Sequence, residues 1–190
     1  MMIGLVLCGG ESKRMGTDKG MLRHGNYTWA EYAQQTLHGL DLPVFISVNE
    51  GQLPVYQQRF SNPELIVDCV FAKGPLAGLL SLHFNFPEHD ILVLACDMIN
   101  MDAHTLHTLI RNYGEDEGVK GCFFGNNGRV EPLCAIYSSD MLTQIAEQLD
   151  SGQLVHFALH KIISYFHVSI VPIADHVKFA NYNTFDHLRK

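Results

Sequence analysis

The sequence predicts an α/β domain: a mostly parallel β-sheet with helices on both faces. Three observations carry this. Short apolar runs alternate with helical patterns from the N-terminus to Asn112, the alternation that crossover-connected parallel strands produce. The first run, IGLVLC, is apolar at every position, as a strand covered on both sides requires. The chain, at 190 residues, has the length of one domain, and a chain of that size buries roughly 70% of its unfolded surface without a metal or disulfide staple.

IGLVLC is the first strand. WAEYAQQTLHGL reads as a helix with Ala30, Ala33 and Leu37 on one side, PVFISVN as the second strand, and QLPVYQQRF as a short helix or turn. ELIVD is the third strand, GPLAGLLSLHF a turn feeding a helix, and DILVLACD the fourth strand. DAHTLHTLIRNY is a helix capped by Asp102. After Asn112 the pattern changes. NYGEDEG is an acidic loop, and VKGCFFG and EPLCAIYS are strands around the NNGR turn. SDMLTQIAEQL is a helix capped near Ser139, QLVHFALHKII a second helix, and YFHVSIVPI a strand. The tail NYNTFDHLRK ends in a short helix capped by Thr184.

Lys and Arg number 13 against 20 Asp and Glu, a formal net charge of −7. That balance argues against nucleic acid as a partner, which calls for a basic surface. It leaves room for an anion in a local basic pocket. The N-terminus has no basic segment and no small-residue cleavage site, so no secretory signal is expected. No apolar run reaches the ~18 residues of a membrane span, and no membrane partner is expected. The cysteines Cys8, Cys69, Cys96, Cys122 and Cys134 are odd in number and form no C-x-x-C pair. They read as reduced thiols of a cytoplasmic protein.

The chemistry starts in LCGGESKRMGTDKGML, directly behind the first strand. In open α/β sheets, ligands bind at the carboxyl ends of the strands. Gly9, Gly10 and Gly16 let backbone N–H groups approach an anion, and Lys13, Arg14 and Lys19 supply positive charge. A phosphate chain is the simplest ligand that calls for both. The loop is not a Walker A loop, which needs G-x-x-x-x-G-K-[ST]. Five residues separate Gly10 from Gly16 here, and Lys19 follows Gly16 by three positions. The G-x-G-x-x-G fingerprint of dinucleotide sites is also missing from it.

L-x-G-G-x-S-x-R-M-G-x-D-K-x-x-L resembles the signature of the molybdenum cofactor guanylyltransferase family, matched by Leu7, Gly9, Gly10, Ser12, Arg14, Met15, Gly16, Asp18, Lys19 and Leu22. GPLAGLLSL, CDM at Cys96–Met98, EPLCAIY and NYNT resemble further segments of that family. The resemblance implies a three-layer, Rossmann-like nucleotidyltransferase fold. It implies one domain over 1–190, with a nucleotide-binding half at 1–112 and an acceptor half at 113–190. It also implies transfer of GMP from GTP to molybdopterin with release of pyrophosphate, and Mg²⁺ as the cofactor. The partners implied are GTP, molybdopterin or its molybdenum-bearing form, and other proteins of molybdenum cofactor assembly.

In nucleotidyl transfer a phosphate oxygen attacks the α-phosphorus, and charge builds on non-bridging and leaving oxygens. Positioning and electrostatics then carry the catalysis. Lys19 and Arg14 are the candidate catalytic cations, Arg gripping a phosphate with two bonds and Lys acting as a point charge. Asp97 ends the run ILVLAC and projects at the sheet's carboxyl edge, where a carboxylate can hold Mg²⁺ with few other protein ligands. By resemblance Asp97 is catalytic, metal-binding and nucleotide-binding. The nucleotide site carried over also takes in Leu7, Cys8, Gly9, Gly10, Gly16, Lys19, Asn49 and Asp68. Acceptor contacts fall on Gly74, Gly78, Asn181 and Asn183. For Asn49, Asp68, Gly74, Asn181 and Asn183 an ordinary turn role stands open beside the functional one. Asp18 either orients Lys19 or Arg14 by an ion pair or sits in a turn.

The sequence departs from the family in places. Cys8 replaces the usual Ala, Ile99 stands where Pro is common, and Gln153, Leu154 and Val155 follow Gly152 where basic residues are usual. The last departure weakens the expected cradle for the pterin's phosphate. It keeps other readings open: a CTP-dependent molybdopterin enzyme, a sugar-phosphate nucleotidyltransferase, or a nucleotide-binding module without turnover. His156 and His160, four apart on a predicted helix, have no third partner for a metal.

Overall fold

The computed structural model describes residues 1–8, 18–68, 71–115, 118–126 and 128–180. Strand β1 (Met2–Leu7) leads, across the loop, to a 3-10 turn (Lys19–Met21) and a small hairpin, β2 (Arg23–His24) and β3 (Tyr27–Thr28). Helix α1 (Trp29–His38), strand β4 (Val44–Val48), the short helix α2 (Leu53–Tyr56) and strand β5 (Leu65–Val67) follow. Then come α3 (Pro75–Asn85), β6 (Asp90–Ala95), α4 (Ala103–Glu115), β7 (Gly121–Asn126) and β8 (Arg129–Tyr137). The described chain closes with α5 (Ser139–Asp150), α6 (Leu159–Ile163), β9 (Ser169–Pro172) and a 3-10 turn (His176–Phe179). No helix among the described residues is long and apolar enough to cross a membrane.

Seven strands form one sheet in the order β5-β4-β1-β6-β8-β7-β9. Pairing is parallel from β5 through β6 and between β7 and β9, while β8 runs antiparallel to both of its neighbours. The alternation of side chains along each strand sorts the core into two layers. Val6, Ile46 and Leu94 pack under Leu37 of α1 and Leu106 and Leu109 of α4. Leu5, Leu7 and Val93 pack under Leu76, Leu79 and Leu80 of α3, Ile145 of α5 and Ile162 of α6. This is the mostly parallel, three-layer arrangement the sequence predicts.

The helices start where their caps are. Thr28 and Glu31 form a capping box at α1, with Glu31 N–H on Thr28 Oγ1 (3.2 Å) and Thr28 N–H on Glu31 Oε2 (2.6 Å). Asp102 Oδ1 accepts from Thr105 N–H (2.8 Å) at the head of α4. Ser138, one residue before the expected cap, accepts from Met141 N–H at α5 (3.0 Å).

Three expectations need correction. α4 runs on to Glu115 instead of giving way to a loop at Asn112, because Tyr113 still packs on the core and Asn112 Nδ2 donates to Thr108 O (2.7 Å). The helix expected from Gln153 begins only at Leu159. Before it Leu154 and Phe157 pack partly on the core while Val155 is 81% exposed, so the apolar residues of that stretch do not share one buried helical side. His156 therefore lies outside the helix that carries His160. The β2–β3 hairpin, turning at Gly25 (φ +60°), was missed. Its signal was the Gly-Asn pair between His24 and Tyr27. The expected tail helix lies outside the described residues.

His83 on α3 is 3% exposed and faces α5. The Thr143 hydroxyl donates to Ser139 O (3.0 Å), leaving its lone pair for His83 Nε2–H (3.2 Å). His83 Nδ1 is buried without a partner. Burial thus pushes this imidazole below its ordinary value of 6.5, against a smaller opposing pull from Glu88. The unfolded chain takes up a proton near 6.5 that the folded chain refuses, so the fold loses stability as pH falls below that value. We expect His83→Phe to flatten the acid side of the stability–pH curve. The part removed is a slope of up to about 1.4 kcal/mol per pH unit, read by urea melts from about pH 7 downward. An unchanged slope would show that His83 is protonated in the fold.

Candidate active site

The parallel strands β1, β4, β5 and β6 all end at one edge of the sheet, and the sequence-predicted residues gather there. Leu7 closes β1, and Cys8 follows it, both 6% exposed. Asn49 follows β4, Asp68 follows β5, and Cys96 and Asp97 follow β6. Lys19 opens the 3-10 turn behind the β1 loop. Lys19 Nζ meets Asp97 Oδ2 at 3.0 Å, and the two side chains are 24% and 15% exposed. Residues 78 positions apart in the chain thus face each other across one crevice. Arg14, Gly9, Gly10, Gly16, Asn181 and Asn183 lie outside the described residues.

Asp18 serves as the N-cap of the turn that presents Lys19. Its Oδ1 accepts from Gly20 N–H (2.9 Å) and from the Tyr56 hydroxyl (3.2 Å), and its Oδ2 from Gln52 Nε2 (2.9 Å). The same Gln52 amide also donates to Cys8 O (3.1 Å). Gln52 therefore ties the beginning of the β1 loop to its end. Tyr56 is fully buried. Burial first, then the Cys8 and Cys96 thiols and Asp18, push its phenol far up, so it stays a neutral donor. The Cys96 thiol is pushed well up by its bond to Cys8 and by burial. These sulfurs are packing atoms behind the loop.

Asn49 Oδ1 accepts from Gln52 N–H (3.0 Å) while Gln52 Oε1 accepts from Asn49 N–H (2.9 Å), a reciprocal clasp at the head of α2. The Asn49 NH₂ group has no partner among the described residues and is available to a ligand. Asp68 Oδ1 accepts from Ser47 Oγ (2.7 Å). Burial raises the Asp68 carboxyl, and the Ser47 bond opposes the rise. Gly74 precedes α3 at φ +64°, with open space where a Cβ would sit. Its requirement is conformational. Gly78 is a packing position: a Cβ there would run into Ser47 Oγ and come within 2.8 Å of Leu7 Cδ2. α3 lies this close to β1 and β4 only because Gly78 lacks a side chain.

β8 brings one more acid. Glu131 stands near its start, where the pairing with β7 slips from Phe123↔Ala135 to Phe124↔Glu131. Glu131 Oε1 accepts from Leu133 N–H (3.1 Å). Burial raises this carboxyl, the Leu133 bond lowers it, and the charge of Asp97 raises it further. The sequence reading passed over Glu131, Gln52, Tyr56 and Ser47. The available signals were a lone acid in an apolar strand, an amide three residues after Asn49, and a Ser inside an apolar run.

Behind Gly152 a cavity of about 280 Å³ is lined by Gln148, Gln153, Leu154, His156, Ile162 and Tyr165, with no Lys or Arg on its wall. Among the described residues no group of three or more His, Cys, Asp or Glu side chains is placed to hold a metal.

Residues 4–163 match the family described as the MobA-like NTP transferase domain. A probable molybdenum cofactor guanylyltransferase of Flavobacterium johnsoniae is 26% identical over 190 residues, spanning 94% of this chain and 95% of the relative. A molybdenum cofactor guanylyltransferase of Syntrophotalea carbinolica is 28% identical over 167 residues, spanning 87% of this chain and 76% of the relative. The fold is also that of molybdopterin-guanine dinucleotide biosynthesis protein A from Archaeoglobus fulgidus. That crystal structure has a TM-score of 0.80 at 21% identity and covers 99% of this chain and 95% of that one.

The Gly78 contact has a measurable cost. Gly78→Ala forces α3 off β1 and β4, and we expect a loss of about 1–3 kcal/mol in urea unfolding. Unaltered stability would mean that Ser47 and Leu7 make room without strain.

Proposed function

Because the chain belongs to the MobA-like NTP transferase domain family, we propose that it transfers GMP from GTP to the phosphate of molybdopterin, releasing pyrophosphate and forming molybdopterin guanine dinucleotide. The observation that carries this reading is the apposition of Lys19 and Asp97 at 3.0 Å, at the edge where the β1 loop and β6 end. A cation for a triphosphate and a carboxylate for its counterion are the two charges this transfer needs in one place. The guanine base and the pterin acceptor are taken from the relatives' names.

The residues present fit Mg²⁺. Asp97 offers a hard oxygen donor, already facing a positive charge in Lys19. Mg²⁺ is commonly held by one or two carboxylates plus substrate phosphates and water. When bound, it neutralises charge on the transferring phosphates. Asp97 holds it. Lys19, fixed by the Asp18-capped turn, faces the triphosphate as a point charge, and Arg14 adds a second cation from the same loop. Gln52 bonds Cys8 and Asp18 at the two ends of that loop and so steadies the turn that presents Lys19. Asn49 NH₂ and Asp68 offer a donor and an acceptor to the nucleoside. Residues 1–112 hold the nucleotide, and 113–190 the acceptor, with Gly74, Gly78, Asn181 and Asn183 on the acceptor's side. The reaction belongs in the cytoplasm.

One observation favours a second reading, a nucleotide- and cofactor-binding module without turnover: the cavity behind Gly152 has no Lys or Arg to meet an acceptor's phosphate. Pyrophosphate release in the presence of GTP, Mg²⁺ and molybdopterin separates the two. Release supports transfer, and tight binding without release supports the module. Thermal shifts with each of the four nucleoside triphosphates test the base, the expected result being a gain selective for GTP. A gain selective for CTP would identify a cytidylyltransferase.

Lys19→Ala and Asp97→Ala are each expected to cut turnover at least about a hundred-fold, with circular dichroism unchanged. Wild-type turnover in either variant would remove that residue from the chemistry.

A further inference from the structure

β8 is the reversed strand of the sheet, so its beginning, not its end, reaches the edge where β1, β4 and β6 finish. Its pairing with β6 runs from Ile91↔Tyr137 to Leu94↔Cys134. Glu131 lies three residues before Cys134, and Asp97 lies three after Leu94 in the turn closed by Met98 N–H on Ala95 O (3.2 Å). The two acids therefore leave neighbouring strands at the same edge of the sheet. The electrostatics agree, since Asp97 acts on the Glu131 carboxyl.

The local backbone holds Glu131 in this position. Between Phe123↔Ala135 and Phe124↔Glu131, the residues Pro132, Leu133 and Cys134 have no counterpart on β7. Pro132 has no N–H for a ladder, and its carbonyl accepts from the Tyr137 hydroxyl (2.9 Å). Leu133 N–H, freed from β7 by the slip, holds Glu131 Oε1 at 3.1 Å. Glu131 Oε2 has no hydrogen-bond partner among the described residues. A half-buried carboxylate thus stands at the edge that carries a second one, and a cation already sits on Asp97 Oδ2 in the form of Lys19 Nζ.

From this juxtaposition we propose that Glu131 is a second carboxylate for the divalent cation, joining Asp97 through its Oε2 oxygen. The inference rests on the reading of Asp97 as the metal-holding residue. Ionised together, the two carboxylates carry two negative charges, and a divalent cation matches that charge with hard oxygen donors. When the nucleotide draws Lys19 toward its phosphates, the need for that cation increases. Glu131 also assigns a task to the acceptor half, which supplies it to a site otherwise built by the nucleotide half.

The test uses Mn²⁺ as the probe. Its binding is followed by electron paramagnetic resonance of the free ion, on the full chain with a GTP analogue that cannot be cleaved between the α- and β-phosphates. Glu131→Gln keeps an oxygen for Leu133 N–H and removes the charge. We expect Mn²⁺ affinity to fall about ten-fold or more. Melting temperature and analogue affinity in EDTA should stay as in the wild type, which loss of a merely structural bond would not leave intact. Glu131→Asp, which withdraws the carboxylate by one methylene, is expected to weaken Mn²⁺ as well, and it serves if the Gln variant does not fold. Wild-type Mn²⁺ affinity in the folded Glu131 variant, with binding lost in Asp97→Asn, would overturn this inference and leave the proposed function standing. A wild-type protein that binds no Mn²⁺ with the analogue present would overturn both.

Discussion

The meeting of Lys19 with Asp97 is the constraint on which the rest of the site depends. Opposite charges at 3.0 Å in a half-buried crevice hold each other in position. For them to meet, β1 and β6 must lie side by side in parallel register, and the chain must return from the β1 loop to the same edge. The register does the first: Leu7 pairs with Ala95, so Cys8 and Cys96 leave the sheet together. The Asp18-capped turn does the second, held by Gln52 and Tyr56 from α2. The fold therefore delivers two charges to one point through the geometry of neighbouring parallel strands.

The polar residues around that point divide into those turned inward to hold backbone and those turned outward. Asp18, Gln52 and Tyr56 spend their hydrogen bonds on the loop. Asn49 is clasped by Gln52 yet keeps its NH₂ group open, and Asp68 gives one oxygen to Ser47. These side chains are held by hydrogen bonds before a ligand arrives, the kind of preorganisation electrostatic catalysis draws on. The thiols of Cys8 and Cys96 belong to the inward set. Both are buried, so where the family usually has Ala this chain has a small packing group.

Much of the fold was legible in the sequence. Apolar runs such as ILVLAC mark strands covered on both faces, and Thr28, Asp102 and the Gly-Pro at Gly74–Pro75 mark helix starts. Lys19 and Asp97 could both be named, one from a Gly-rich cationic loop and the other from its place at a strand end. Their contact could not be read, because it depends on which strands are neighbours. The same limit hid Glu131, whose place at the edge follows from the reversed direction of β8, and Gln52, whose two acceptors come from either end of a loop. Local reading also could not find the packing at Gly78. A glycine early in a helix behind a strand suggests a ligand, and only the packed structure shows Ser47 and Leu7 against it. Val155 and His156 failed for a related reason: helical spacing is present, but the core covers Leu154 and Phe157 and leaves Val155 outside.

The reversed direction of β8 has a consequence for how this architecture tolerates change in length. Loops at the ends of the parallel strands can grow or shrink without disturbing what lies upstream of them. β8 has less of that freedom, since Glu131 sits only three residues before Cys134, the last residue paired with β6. One residue added or removed in that short interval would move the acid relative to the edge it reaches. This strand acts as a ruler, and its length matters more than the length of the loops around it.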